Sequence, residues 1–149
     1  RVKQEAVTKA MHLADTISSS PEVRSLEAER IEPYLRDVIK REGSIQLLAV
    51  TNLEGYRISQ VHTQRGEKGL FRNLMTKNFY KHDWFEEVIS TGKPYYSDLF
   101  FSKYTGVLIM TAALPITDAA GKIYAIIDID FKFDELVKLL TDLPEEILS

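Results

Sequence analysis

The sequence predicts an α+β domain: a central, mainly antiparallel sheet of about five strands, with a long amphipathic helix before it and a short helix after it. Three observations carry this. Ile123, Ala125, Ile127 and Ile129 alternate with Tyr124, Ile126, Asp128 and Asp130, and an alternation of period two is a strand with two distinct faces. The apolar segments of the middle region are joined by the turns Asn52-Leu53-Glu54-Gly55 and Asp118-Ala119-Ala120-Gly121, which make hairpins and therefore antiparallel pairs. The two ends of the chain repeat their apolar residues at helical spacing instead.

Taken in order, Val7, Ala10, Met11, Ala14 and Ile17 form the stripe of a first helix, which the run Ser18 to Ser20 with Pro21 interrupts. Ser20 as N-cap and Pro21 at the first helical position start a second run. Its stripe is Val23, Leu26, Ile31, Tyr34, Leu35, Val38 and Ile39, with a bend or break expected near Glu32 because of Pro33. Strands are expected at 45–52 and 56–63, a short helix within 70–78, and a clearer helix at 81–91 ended by Gly92 and Pro94. Strands at about 96–101, 107–117 and 121–131 and a helix at 133–141 complete the chain.

The 149 residues, 44% of them apolar, fit one domain, with a helical segment at 1–43 and the sheet, its covering layer and the closing helix at 44–149. A net charge of −3 without a basic stripe speaks against nucleic acid as a partner. Cysteine is absent, which excludes disulfides, thiolate metal sites and cysteine nucleophiles. Neither a signal peptide nor an apolar run of about 20 residues is present. Because the chain opens on Arg1, it is read as an excised piece with room for such segments in its flanks.

Signs of catalysis are missing. There is no glycine-rich phosphate loop, no G-x-S-x-G and no H-E-x-x-H, and His12, His62 and His82 fall on separate elements without metal-ligand spacing. The chain is therefore read as a non-enzyme with no cofactor and no metal. The chemically loaded feature is Asp128 and Asp130, two carboxylates on one face of an apolar hairpin. Burying them unpartnered costs several kcal/mol or shifts their protonation, so that face is either wet or holds a ligand. A rival role for Asp130 is to cap the closing helix, whose first turn carries Asp134 and Glu135.

The segment W-F-x-x-x-x-x-T-G-K-P-Y-x-S-D from Trp84 is followed by Thr105-Gly106, by T-x-x-x-P-I from Thr111, by D-x-x-G from Asp118 and by D-x-x-x-D-x-L from Asp130. In order and spacing this resembles a Cache domain, the PAS-like extracytoplasmic sensor module of chemoreceptors, sensor histidine kinases and diguanylate cyclases. The resemblance covers about residues 45–140. It implies a PAS-like fold, a periplasmic position between membrane segments that flank this fragment, and a small ligand held between the sheet and a loop-helix layer.

Cache domains that bind amino acids carry an arginine two residues before the tryptophan, an aromatic after it, a Tyr-x-Asp pair on the next strand and an aspartate opening the last one. This chain keeps Trp84, Phe85 and Asp130 but has His82, Phe100 and Ser102 at the other positions. The ligand-binding candidates are thus His82, Trp84, Phe85, Tyr96, Phe100, Ser102, Thr111, Asp128 and Asp130. Tyr95 and Tyr104 are candidates for the rim, and Lys81 and Lys103 for meeting an anion. Without the arginine fork a ligand carboxylate loses its bidentate grip, which speaks against a standard α-amino acid; the partner is read as a small molecule of carboxylate, amine or amino-acid-like type. The competing class is an interaction module, a homodimer paired through the stripe Val7, Met11, Ala14 and Ile17.

Overall fold

The computed structural model describes residues 1–72, 74 and 82–141. Helices α1 (Val2–Ser18), α2 (Pro21–Arg24) and α3 (Ala28–Arg41) precede strands β1 (Ile45–Asn52) and β2 (His62–Thr63). Next come α4 (Asp83–Thr91), strands β3 (Tyr95–Tyr96), β4 (Phe100–Phe101), β5 (Leu108–Thr117) and β6 (Ile123–Lys132), and helix α5 (Phe133–Thr141). The sheet is antiparallel in the order β2-β1-β6-β5-β3, and β4 also pairs with β5.

Its long central strands β1, β5 and β6 are buried on both sides, and their two faces pack on different layers. Leu48, Val50, Met110, Ala112, Leu114, Ala125, Ile127, Ile129 and Phe131 face α1, α3 and α5 in one core. Leu47, Ala49, Ala113 and Ile126 face Phe71, Leu74 and the α4 residues Trp84, Phe85 and Val88 in a second, smaller one. The sheet is therefore covered by helices on one side and by a short helix with irregular chain on the other.

Several expected boundaries move, each for a local reason. Ser20 does cap α2, accepting from the Val23 N–H at 3.3 Å with Pro21 at the first position, yet α2 is one turn long. The break comes at Ser25–Glu27, where Leu26 takes a left-handed φ of 57°, and not at Pro33. That proline lies exposed inside α3, so water can serve the Glu29 carbonyl that its missing N–H leaves open. Of the strand expected at 56–63, His62 and Thr63 remain together with a single bridge between Thr51 and Arg57. There the Ser59 hydroxyl oxygen takes the Val50 N–H at 2.8 Å, in place of a backbone carbonyl. The strand expected at 96–101 is cut in two, because the Ser97 hydroxyl accepts the Thr111 N–H at 2.9 Å and donates to the Asp98 carbonyl. The helix expected within 70–78 is a 3-10 turn at Lys68–Phe71, and most of the rest of that stretch lies outside the described residues.

The first helix also spends its apolar face differently from a dimer seam. Ala6, Ala10, Ala14 and Ile17 are buried against the chain's own sheet and α5, Val7 is half-buried, and Met11 is exposed. Two of the four residues read as a pairing stripe are thus already used within the domain.

Candidate functional site

The second face of the sheet does not close completely over β5 and β6. Between it and the α4 layer lies a cavity of about 140 Å³. Ile109, Thr111, Asp128 and Asp130 form its floor, His82 and Trp84 its roof, and Leu74, Phe100, Ser102, Lys103 and Tyr104 its sides, with Phe100 beside Ile109 in the sheet.

The floor is hollow because of what flanks the acids. In the sheet Asp128 pairs with Ala49 of β1 and Ala113 of β5, and neither small side chain can reach its carboxyl. Asp130 pairs with Leu47 and Thr111, and the Thr111 hydroxyl donates to its Oδ1 at 2.8 Å. Asp128 is 5% exposed, and its Oδ1 has no hydrogen-bond partner among the described residues. The two carboxyls sit side by side, near enough for a protonated one to donate to the other. Desolvation, then the neighbouring charge of Asp130, holds Asp128 well above the ordinary carboxylate range. Asp130 is pushed up to about 6, chiefly by desolvation and against the hydrogen bond from Thr111, which favours its charged form.

The roof is set by α4. Its N-cap His82 stacks on Trp84 with ring centroids 5.6 Å apart, and Phe85 meets Trp84 edge-on at 6.1 Å. Gly92, left-handed at φ 69°, ends the helix. The side wall is the turn 102–106. Its anchor is Gln46, fully buried at the bulge between Ile45 and Leu47, which donates from Nε2 to Ser102 Oγ at 3.2 Å and accepts from the Thr105 hydroxyl at 2.7 Å. Ser102 Oγ also accepts the Tyr104 and Thr105 N–H groups, so it builds the turn as well as lining the cavity.

Seven of the nine candidate residues, namely His82, Trp84, Phe100, Ser102, Thr111, Asp128 and Asp130, are thereby gathered around one cavity. The other two are corrected. Phe85 is buried in the small core behind Trp84 and acts as its support. Tyr96 alternates to the opposite face of β3 and packs on the helix-side core. Of the rim candidates, Tyr104 lines the cavity, Tyr95 lines an open cleft next to it with Ser97 and Asp98, and Lys81 lies outside the described residues. Asp130 is not the cap of α5, which begins at Phe133, because its carboxyl is bonded to Thr111. Sequence reasoning missed Leu74 and Ile109, which carry no polar signal, and Gln46, whose role depends on the bulge.

An antiparallel sheet with terminal helices on one face and an acid-floored, aromatic-roofed cavity on the other is the architecture of a PAS-like sensor domain. The chain belongs to the family described as methyl-accepting chemotaxis protein-like, first PDC sensor domain, whose model matches residues 31–138. Among solved structures it is similar to the E. coli DcuS sensor domain, with 16% identity, TM-score 0.61, and coverage of 95% of this chain and 98% of that one. It is similar also to the ligand-binding domain of the Campylobacter jejuni chemoreceptor Tlp3 in complex with L-valine, with 14% identity, TM-score 0.59, and coverage of 96% and 60%. The ligand-binding domain of the Pseudomonas aeruginosa PAO1 chemoreceptor PctC in complex with GABA matches with 15% identity, TM-score 0.56, and coverage of 90% and 59%. At such identities these likenesses speak for the fold alone. In sequence the chain is 27% identical over 139 residues to citrate (Re)-synthase of Syntrophus aciditrophicus (strain SB), across 93% of this chain and 22% of that protein. It thus spans about a fifth of this relative's length. Among the described residues no helix is long and apolar enough to cross a membrane.

Proposed function

We propose that the chain is a single sensor domain, 1–149, from the extracytoplasmic part of a membrane receptor, and that it binds a small polar ligand without transforming it. The observation that carries this is the cavity of about 140 Å³ with Asp128 and Asp130 on its floor and Trp84 in its roof, in a chain of a sensor-domain family. A cavity of about 150 Å³ holds a benzene-sized guest, so the ligand has about six non-hydrogen atoms. The ligands in those Tlp3 and PctC complexes, L-valine and GABA, are of that order and support the reading.

The ligand's effect on the chain leaves through the other face of the sheet. Asp128 and Asp130 alternate on β6 with Ile127, Ile129 and Phe131, which pack under α1 and α5. These two helices also pack on each other. Ligand binding shifts their arrangement only to the extent that it favours one state of the strand over another.

The test is a thermal-shift screen of carboxylates, amines and amino acids against wild type, Trp84→Ala and Phe100→Ala. At least one compound is expected to raise the melting temperature of wild type and to lose that effect in both variants. Phe100 is 44% exposed, so its variant folds even if the tryptophan variant does not. A screen in which nothing shifts wild type, or in which both folded variants respond like wild type, refutes the proposal.

A further inference from the structure

The layer that covers the cavity is also tied to the sheet outside the ligand site. We propose, resting on the sensor reading above, that the ion pair between Glu67 and Lys132 is a latch. It fastens the 3-10 turn of that layer to the residue from which α5 starts, and its closing and opening carry the state of the cavity to α5.

The first support is where the pair sits. Lys132 ends β6, its N–H donates to the Ser44 carbonyl at 2.7 Å, and α5 begins at the next residue, Phe133. By the alternation that turns Asp128 and Asp130 toward the cavity, Lys132 leaves the strand on that same side. There its Nζ donates to Glu67 Oε1 at 2.7 Å, across 65 positions of chain. Glu67 opens the 3-10 turn Lys68–Phe71, and its carbonyl accepts the Leu70 N–H at 2.9 Å.

The second support is the contact at the other end of that turn. Phe71 is fully buried, with its ring centroid 5.0 Å from that of Tyr104. Tyr104 lines the cavity and carries Lys103 Nζ 5.3 Å over its ring. A displacement of Tyr104 therefore changes the seat of Phe71 and, one turn away, the reach of Glu67 to Lys132. Neither Glu67 nor Lys132 lines the cavity, so the pair meets a ligand's effect through this aromatic contact.

The third support is energetic balance. The side chains of Lys132 and Glu67 are 19% and 23% exposed, and Glu67 Oε2 is buried without a hydrogen-bond partner among the described residues. The attraction within the pair is offset by the desolvation of two charges and by that unsatisfied oxygen. Pair made and pair returned to water are thus close in free energy, and a small bias decides between them. A ligand packed on Tyr104 holds Phe71 in its seat and favours the closed latch, and by linkage a closed latch favours the ligand.

Hydrogen exchange of the ligand-free domain, read by mass spectrometry over residues 133–141, tests the latch without any ligand. Glu67→Gln removes the charge at nearly unchanged shape, and both it and Lys132→Met are expected to speed exchange of α5 about threefold or more. Lys132→Arg keeps the charge, and its fork can also reach Oε2, so its α5 should exchange no faster than wild type. Tyr104→Leu should speed exchange of α5 in the otherwise wild-type protein and add nothing beside Lys132→Met. Unchanged α5 exchange in Glu67→Gln or Lys132→Met overturns the latch, as does Lys132→Arg exchanging as fast as Lys132→Met. So does a Tyr104→Leu effect that is absent from the otherwise wild-type protein or persists in full beside Lys132→Met. Each of these results leaves the sensor reading standing, because that reading falls only with the thermal-shift screen.

Discussion

Replacing Asp130 with asparagine should reverse a pH trend that the cavity imposes on the empty domain. Burial raises Asp130 from an ordinary 3.8 to about 6. A carboxyl whose folded pKa is raised contributes stability that is complete below the unfolded value and is lost as pH rises through the folded one. Each tenfold change in proton affinity is worth about 1.4 kcal/mol, so Asp130 alone takes up to about 3 kcal/mol from the ligand-free protein between pH 3.8 and neutrality. Asparagine carries no charge at any pH, keeps an oxygen for the Thr111 hydroxyl, and removes the neighbour that repels Asp128. Burial holds His62 below its ordinary value, so its contribution is lost as pH falls, in the opposite direction. That term is common to both proteins and cancels in the comparison. Urea denaturation of ligand-free wild type and Asp130→Asn in steps from about pH 4 to about pH 8 is the assay. The variant should be close to wild type at the acid end and more stable by up to about 3 kcal/mol at the alkaline end. Parallel profiles, or a variant that loses ground as pH rises, would refute the claim that the cavity desolvates these carboxyls.

Thr111→Val removes the 2.8 Å hydrogen bond that favours the charged form of Asp130. Its carboxyl titration, followed by NMR, should move further above the ordinary range, and an unchanged or lower midpoint would contradict the assignment. Gly92→Ala places a side chain at φ 69°, where the added Cβ meets only Ile123 Cδ1, at an ordinary 3.7 Å. The cost should therefore be conformational, about 1 kcal/mol in chemical denaturation, and full stability in the variant would show that this helix end is not left-handed in solution.

Local pattern was enough for much of this domain. A period of two along 123–130 assigns Asp128 and Asp130 to the face opposite Ile127 and Ile129 wherever that strand ends up, because the pleat allows no other arrangement. The turns at 52–55 and 118–121 dictated antiparallel neighbours, and the ordered motifs from Trp84 to Leu136 pointed to the family that the matching model covers. Long-range contacts settled what pattern leaves open. Tyr96 and Phe85 are as aromatic as Trp84 and Phe100, but the strand parity of β3 and the packing behind α4 turn both away from the cavity. Gln46 reads as one more residue of a buried strand until the bulge between Ile45 and Leu47 aims it at the turn 102–106. The hollow itself follows from Ala49 and Ala113 lying beside Asp128. Those neighbours are brought together by register between strands that are far apart in the chain, and periodicity along one strand holds no record of its partners.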